Sequence, residues 1–370
     1  MRVLFWAELF WPHIGGAELG ALELILALRK RGHEFIVVTR QDDPSEPPAD
    51  QYEGVLIYRF PFWKAFADRN LRQLQEARKG FAKLKHDFAP DLVHLHCVGP
   101  GTLFYLESTK VKPVPLLVTL TGMDFEKQCG LQVFESILRL SDWTTVKSKA
   151  ILHRARQIVP SIGSRSSVVY RGRRDPLPEL HSPPTLLPRI VCVGRLATVK
   201  GFDLALSAFA IIVRHFPEVE MVIAGDGPQR SALEQQAESL GLAEKVQWLG
   251  WVAPEQIPAL LATAQAVLIP SRSEGLPRVA VEAALMARPV VATKVGGIPE
   301  VVIHQRTGLL VEPENEGVLA DAIIYFLTHR EEGESMGYSA RSLALEQFNL
   351  DHCLDSYHAL YEQLTQSKSI

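Results

Sequence analysis

Residues 264–300 read AQAVLIPSRSEGLPRVAVEAALMARPVVATKVGGIPE, and they predict a strand, a loop, a helix, a second strand and a second loop. The apolar run 264–269 is typical of a buried parallel strand. Pro277 indicates a helix start, because the first residue of a helix needs no N–H donor. We expect this helix to span 278–287. A strand–helix–strand order of this kind is the repeating unit of α/β folds.

Two glutamates punctuate this unit, Glu274 in the loop and Glu282 in the helix. The helix start beside Gly275, Leu276 and Pro277 offers free backbone N–H groups and a partial positive charge, which suits a phosphate or diphosphate. Glu282 is then placed to accept hydrogen bonds from a ribose diol, and Glu274 from the hydroxyls of a sugar. Taken alone, the same pair also fits a solvated helix glutamate and an ordinary loop glutamate.

The whole pattern PSRSEGLPRVAVEAALMARPVVATKVGGIPE, with its E-x7-E spacing, resembles the donor-site signature of retaining GT-B glycosyltransferases. The relevant group is the glycosyltransferase family 4 type, which is glycogen-synthase-like and mannosyltransferase-like. The resemblance covers the second half of the chain closely and the first half more loosely. It implies an α/β protein with two Rossmann-like, doubly wound domains facing a central cleft.

Length and composition agree with two globular domains. The chain has 370 residues, of which 47% are hydrophobic and 22% charged. We predict an N-terminal Rossmann-like acceptor domain over 1–175, a proline-rich linker over 176–188 and a C-terminal nucleotide-sugar donor domain over 189–349. The resemblance further implies that a last helix, at about 350–366, packs back on the first domain.

Two cations in the second domain match the family's phosphate-binding pair. Arg195 and Lys200 lie in GRLATVKG, between a predicted strand and a predicted helix. The resemblance implies that they and the helix start at 275–277 stabilise the leaving diphosphate, with Glu274 as a further catalytic residue. Gly227, in GDGP, matches the family near the donor. Trp251 lies where relatives place the nucleotide base, although packing in the core is an equally good interpretation of a tryptophan.

In the first half, Gly15 and Gly16 follow the first predicted strand. Glycine lets the backbone approach a ligand closely, but the pair also fits a plain tight turn. The resemblance implies that the pair faces the donor diphosphate. His96, Thr121 and Asp124 come at or after predicted strand ends, where ligands collect in α/β folds. They are therefore candidates for contacts with the acceptor or the donor sugar.

Two positions depart from the family pattern. Relatives often carry a histidine where this chain has Thr121, and an asparagine where it has Arg171. These departures leave open a non-catalytic nucleotide-sugar-binding protein, or an epimerase or pseudo-glycosyltransferase on the same fold. Paired carboxylates also occur in glycoside hydrolases, but the phosphate-binding elements favour transfer. The preferred hypothesis is a hexosyltransferase that moves a sugar from a UDP-sugar or GDP-sugar to a hydroxyl of a glycan, lipid or small molecule.

No cofactor is expected besides the nucleotide diphosphate sugar as co-substrate, and no metal, because fixed cations supply the positive charge. The four cysteines are scattered without metal-ligand spacing and fit reduced core thiols in a cytoplasmic protein. Glu8 and Pro12 interrupt the N-terminal apolar stretch, so we expect no signal peptide.

Charge is divided unevenly along the chain. Residues 1–178 carry 25 Lys and Arg against 19 Asp and Glu, a balance of +6, and the remainder carries 14 against 23, a balance of −9. The segment 63–86 interleaves basic and apolar residues, which fits an ordinary surface helix pair or a patch for an anionic acceptor or membrane surface. We therefore expect no nucleic-acid partner and a possible peripheral contact at the cytoplasmic membrane face.

Overall fold

A computed structural model describes residues 1–12, 15–96, 98–99, 101–108, 114–123, 130–176 and 188–366. The chain divides into two compact units. The N-terminal unit comprises Met1–Tyr170 and Asp351–Ile370, and the C-terminal unit comprises Arg171–Leu350. The exchange between units therefore falls at 170/171 and 350/351, beside the predicted boundaries at 175 and 349.

The N-terminal unit is built on an eight-stranded sheet in the order β3-β4-β2-β1-β5-β6-β7-β8. All neighbouring strands are parallel except β3 and β4, which are antiparallel. The strand order reverses direction between β1 and β5, which makes this pair the topological switch point of the sheet. The strands are β1 Arg2–Ala7, β2 Glu34–Arg40, β3 Ala49–Tyr52, β4 Val55–Phe60, β5 Leu92–His96, β6 Leu116–Leu120, β7 Trp143–Val146 and β8 Ser166–Val168.

Helices cover this sheet and bury its apolar strands, as expected for parallel strands with hydrophobic runs. Asn70 and Ser148 cap two of the helices through their side chains. The last helix of the chain belongs to this unit. The described helices are α1 Gly16–Arg29, α2 Phe62–Ala67, α3 Leu71–Phe88, α4 Gly101–Ser108, α5 Leu131–Leu140, α6 Lys149–Ile158 and, at the end of the chain, α13 Leu350–Gln366.

The C-terminal unit has a six-stranded, fully parallel sheet in the order β11-β10-β9-β12-β13-β14. Numbered within the unit this order is 3-2-1-4-5-6, that of a Rossmann fold, with the switch point between β9 and β12. The strands are β9 Arg189–Val193, β10 Glu220–Ala224, β11 Val246–Gly250, β12 Ala266–Ile269, β13 Val290–Thr293 and β14 Gly308–Val311.

The helices of this unit follow its strands in alternation and bury one continuous apolar core. They are α7 Phe202–His215, α8 Arg230–Ser239, α9 Ile257–Ala262, α10 Arg278–Leu285, α11 Glu316–Thr328 and α12 Arg330–Gln347. The predicted helix at 278–287 ends two residues early, because Ala287 takes a left-handed conformation with φ +53°. Helix α12 had no counterpart in the sequence analysis.

Among the described residues, no helix is both long enough and apolar enough to cross a membrane. Cys192 and Cys353 are buried free thiols, and burial raises the pKa of Cys192 to about 12. Cys97 and Cys129 lie outside the described residues.

Candidate active site

The switch point of the C-terminal unit brings together the loops that follow β9 and β12. The backbone of Gly201 has φ +67°, and a Cβ there would lie 2.0 Å from the carbonyl oxygen of Pro270. Only glycine permits this approach. The N–H of Arg272 donates to the carbonyl of Val199 at 2.8 Å, which ties the two loops a second time.

Arg272 locks these loops through its side chain. Its guanidinium donates to both carboxylate oxygens of Asp203, at 2.8 and 2.7 Å, and to Glu314 at 2.6 Å. It also donates to the carbonyl of Thr198 at 2.8 Å. Hydrogen bonds from Arg272 hold the pKa of Asp203 below its usual range. The sequence analysis assigned Arg272 no role, because an arginine in a loop is more often solvated.

Lys200 and Glu274 meet across these loops. Lys200 Nζ lies 2.6 Å from Glu274 Oε1, and the Ser271 hydroxyl donates to the same oxygen at 2.9 Å. The Glu274 side chain is 9% exposed and that of Lys200 29%. The structure therefore pairs the predicted phosphate-binding cation with the predicted sugar-binding carboxylate.

The loop after β13, which contains Gly296 and Gly297, contacts the backbone of Glu274. Gly296 has φ +52°, and a Cβ on it would lie 1.8 Å from the carbonyl oxygen of Glu274. The N–H of Gly297 donates to that same carbonyl at 3.2 Å. Glycine is therefore required at position 296 by the position of the Glu274 backbone.

Helix α10 begins at Arg278, directly after Gly275, Leu276 and Pro277, and its cap residue Pro277 makes no side-chain hydrogen bond to the helix. The first N–H groups of a helix have no acceptor within the helix itself, and together with the helix dipole they suit an anion. Glu282 projects from the next turn, where Arg278 Nε donates to Glu282 Oε1 at 2.5 Å. Glu282 is buried. Glutamates are seldom buried unless a cation pairs with them, and Arg278 provides that cation.

The remaining candidates of this unit lie at the carboxyl ends of its strands. Arg195 follows β9, its side chain is exposed, and no described residue forms an ion pair with it. A Cβ on Gly227 would lie 2.5 Å from the carbonyl oxygen of Leu196, so the loops after β9 and β10 are in backbone contact. Trp251, just after β11, is 59% exposed, which excludes core packing as its explanation.

In the N-terminal unit, Gly15 is the extended residue before α1, which begins at Gly16. A Cβ on Gly15 would lie 2.3 Å from Glu18 Oε2, so the Glu18 carboxylate lies over the start of its own helix. A carboxylate there is favoured by the helix dipole. Thr121 follows β6 and is partly buried. Asp124 lies outside the described residues.

His96 ends β5, is 5% exposed and stacks on Phe5 with ring centroids 5.4 Å apart. His94, on the same strand, is fully buried, and burial lowers its pKa to about 3. Its ring nitrogens bond Tyr361 and Thr119, each at 2.7 Å. Because Tyr361 belongs to α13, His94 fastens the last helix to this unit.

Glu8 is a residue that the sequence analysis did not assign to a site. It directly follows β1, and the N–H of Gly101, at the start of α4, donates to its Oε2 at 3.4 Å. Its Oε1 is buried without a hydrogen-bond partner among the described residues. Burial raises the pKa of Glu8 to about 7. A glutamate after a first strand carries no sequence signal that distinguishes it from a surface residue.

The described part of the chain shows no cluster of metal-ligating side chains. No group of three or more His, Cys, Asp or Glu residues there is arranged to hold a metal ion.

Two family models match the chain. The model described as Glycosyltransferase Family 4 matches residues 14–174, and the model described as Glycosyl transferases group 1 matches residues 179–343. Among relatives, D-inositol 3-phosphate glycosyltransferase from Mycolicibacterium smegmatis is 30% identical over 383 residues, covering 94% of this chain and 86% of the relative.

Solved structures show a similar fold. Sucrose-phosphate synthase from Thermosynechococcus elongatus superposes with a TM-score of 0.86 at 21% identity and covers 99% of both chains. HepE from Anabaena, solved in complex with UDP, superposes with a TM-score of 0.80 at 21% identity and covers 98% of this chain and 100% of its own.

Proposed function

This chain belongs to the glycosyltransferases of family 4, which have the GT-B fold, and we propose that it moves a hexosyl group from a nucleotide diphosphate sugar to an acceptor hydroxyl with retention of anomeric configuration. The observation that carries the proposal is the pairing of Lys200 with Glu274 beside the uncapped start of α10, at the switch point of a parallel sheet. Ligands of such sheets bind at switch points.

Positive charge at this point suits a departing diphosphate. Lys200, the exposed Arg195 and the start of α10 all lie at the carboxyl edge of the sheet. Fixed cations and oriented dipoles stabilise charge that develops in a transition state without having to reorganise. The same set supports metal-independent transfer, since it supplies the charge that a divalent cation would otherwise bring.

Retention is proposed without a protein nucleophile. Glu274 Oε1 accepts hydrogen bonds from both Lys200 and Ser271. Because the ion pair and this hydrogen bond lower the nucleophilicity of the carboxylate, we assign Glu274 the role of holding sugar hydroxyls. In the proposed reaction, the bond from the anomeric carbon to the diphosphate oxygen breaks. The acceptor oxygen bonds that carbon on the same face, and the leaving diphosphate takes the acceptor proton.

UDP is the first nucleotide to test. The structure of HepE holds UDP, and its similarity to this chain motivates the choice. Glu282 would accept hydrogen bonds from the ribose hydroxyls, and Trp251, exposed after β11, would lie near the base.

The experiment incubates the enzyme with UDP-glucose, GDP-mannose and other common donors, together with a panel of polyol and glycoside acceptors. Nucleoside diphosphate should appear in proportion to acceptor, and NMR of the product should show the donor's anomeric configuration. Release of free sugar without acceptor would indicate hydrolysis, and an inverted product would refute retention. Binding of donor without any turnover would favour the non-catalytic alternative.

We also propose that the N-terminal unit contacts an anionic membrane surface through α2 and the start of α3. Trp63, Phe66 and Leu71 are 42%, 37% and 73% exposed there. Exposed cations accompany them, namely Lys64, Arg69, Arg72, Arg78, Lys79 and Lys83. Apolar side chains with cations around them match the interface of an anionic bilayer. Lys85 is not part of this surface, because it is 8% exposed and lies over the ring of Tyr105.

Vesicle sedimentation tests this contact. At low salt the protein should sediment with vesicles of phosphatidylcholine mixed with phosphatidylglycerol. The double variant Trp63→Ala/Phe66→Ala should remain in the supernatant. Leu131→Ala is the control, since Leu131 is 50% exposed on α5, outside this surface. Equal retention of the double variant would refute the proposed surface.

A further inference from the structure

Arg278 and Glu282 form an ion pair within the donor-site motif at residues 270–300. Arg278 Nε donates to Glu282 Oε1 at 2.5 Å, and the two side chains are 24% and 9% exposed. Among the described residues, none donates a hydrogen bond to Glu282 Oε2. The carboxylate therefore has one oxygen held by arginine and one that is available to a hydroxyl group.

Helix stability alone gives a weak reason for this arginine. A cation at the first position of a helix opposes the helix dipole. An arginine that precedes its glutamate by four residues is also the less favourable order of an i, i+4 pair. Both effects on helix stability are small, but both are destabilising. Local rules of this kind are broken most often at functional sites.

A second Arg–Glu ion pair in the same unit has the same spacing on its helix but is more exposed, so the two pairs differ mainly in burial. Arg230 is the first residue of α8, and its Nε donates to Glu234 at 2.8 Å, four residues later. Those side chains are 33% and 39% exposed. The Arg278 pair has the same helical placement, but its carboxylate is only 9% exposed, so it is far less open to solvent than that of Glu234. A buried carboxylate takes its orientation from its hydrogen-bond partner.

We propose that Arg278 is a positioning residue, which holds the Glu282 carboxylate so that Oε2 faces the ribose diol of the donor nucleotide. The inference rests on the proposed function, because it takes Glu282 as the residue that reads the ribose. It adds a role for a side chain that follows the Gly-Leu-Pro turn directly. Removing Arg278 should therefore weaken recognition of the ribose hydroxyls of the nucleotide more than binding of its phosphates.

The test compares ribonucleotides with deoxyribonucleotides. Calorimetric dissociation constants are measured for UDP, GDP and ADP and for their 2′-deoxy counterparts. Wild type should prefer the ribo form of its nucleotide by about tenfold or more, as expected for hydrogen bonds to a charged group. Glu282→Gln should reduce this ratio towards one, and Arg278→Ala should reduce it nearly as far. Arg278→Lys, which keeps the positive charge but loses the planar guanidinium group, should give an intermediate ratio.

Two controls keep the outcome decisive. Arg230→Ala removes the exposed pair of α8 and should leave the ratio unchanged. In the Glu282→Gln background, Arg278→Ala should change the ratio little further, because the two residues act as one unit. Since the readout is a ratio, a uniform loss of affinity in a loosened variant does not imitate the effect.

The failures are distinguishable. If Glu282→Gln abolishes the preference and Arg278→Ala retains it, the role of Arg278 is refuted and the donor site stands. A wild type that binds a nucleotide without preferring the ribo form also refutes that role, since the diol is then not read. If wild type binds no nucleoside diphosphate, the proposed function itself fails.

Discussion

Lys200 Nζ lies 2.6 Å from Glu274 Oε1, and this ion pair joins the loop after β9 to the loop after β12. The two residues are 74 positions apart in the sequence. The backbone contact of Gly201 with Pro270, which only glycine allows, joins these two loops, and a similar contact of Gly296 joins the loop after β13 to Glu274. The pair is thus a product of the sheet's switch point, and it supplies a cation and a hydroxyl acceptor at one place.

Lys200→Ala should reduce the transfer rate more than donor affinity. We expect about a hundredfold loss in kcat, the size found when a single preorganised donor of a charge-stabilising site is removed, with a smaller change in the dissociation constant. The measurements are steady-state kinetics and calorimetry. Arg189→Ala is the control, because Arg189 pairs with Glu220 at 2.6 Å at the other end of β9 and is similarly exposed. Equal losses in both variants would show that stability, not charge at the site, is responsible.

Gly296→Ala should displace Glu274 and abolish donor binding. The new Cβ would lie 1.8 Å from the Glu274 carbonyl oxygen, and the residue would keep a φ of +52°. We expect a cost of about 3 kcal/mol or more in unfolding free energy.

Gly241→Ala isolates the backbone part of that cost. Gly241 has φ +71°, but nothing lies within 4 Å of the position that a Cβ would take there. The left-handed conformation alone should cost about 1–2 kcal/mol and leave donor affinity intact. If Gly296→Ala behaves like Gly241→Ala in chemical denaturation and in nucleotide binding, the close contact with Glu274 has no consequence.

Arg272→Met should loosen the loops that carry Lys200 and Glu274. The loss includes a bidentate pair with Asp203 that lowers the pKa of that carboxyl. Because this pKa is depressed, its stabilising contribution is present above the ordinary pKa of aspartate and disappears as the pH falls through the lowered value. Asp203 is 43% exposed, so we expect only about 1 kcal/mol from this pair at neutral pH.

Denaturant unfolding of the wild type and of Arg272→Met checks this. The difference in unfolding free energy should shrink as the pH is lowered below about 4, near the ordinary aspartate pKa. A difference that is independent of pH would assign the effect to packing of the arginine stem.

Glu8→Gln should stabilise the N-terminal unit at alkaline pH. Burial raises the pKa of Glu8 from 4.5 to about 7, with Arg40 opposing and Asp42 assisting the shift. A raised carboxyl pKa stabilises the folded chain below the ordinary value, and this contribution is lost as the pH rises through about 7. The full loss is at most about 3 kcal/mol.

Hydrogen exchange of peptides from β1 and β5 provides the readout for that unit. At about pH 5, where Glu8 is neutral, wild type and Glu8→Gln should be equally protected. At about pH 8 the variant should be better protected. Equal protection at both pH values would mean that Glu8 is solvated and that its pKa is close to the ordinary one.

The sequence predicted most of the C-terminal unit because its signals are local. The apolar run at β12, the proline at the start of α10 and the glycines of the next loop each act on their own neighbours. The helix predicted to follow Lys200 is present in the structure as α7. The E-x7-E motif placed both glutamates on the correct loop and helix.

What the sequence could not supply depends on long-range contacts. The hydrogen-bond partner of His94 is Tyr361, 267 positions away, so the sequence alone could not show that His94 joins β5 to the last helix. The Arg272 clamp depends on Asp203 and Glu314, which approach only when the sheet has formed. Glu8 acquires its raised pKa from burial beside Gly101, which no local pattern reports.

The central claim is that the C-terminal unit holds a nucleotide diphosphate sugar without metal, and a thermal-shift panel tests it most directly. UDP, GDP, ADP, TDP and their common sugar conjugates are compared in the presence of EDTA and in the presence of magnesium, with wild type and with Glu282→Ala. At a hundred times its dissociation constant a ligand stabilises by about 2.7 kcal/mol, a readily measured shift. We predict a shift with nucleotides of one base, unchanged by magnesium and much reduced in Glu282→Ala. No shift with any nucleotide, or an equal shift in Glu282→Ala, would contradict the account.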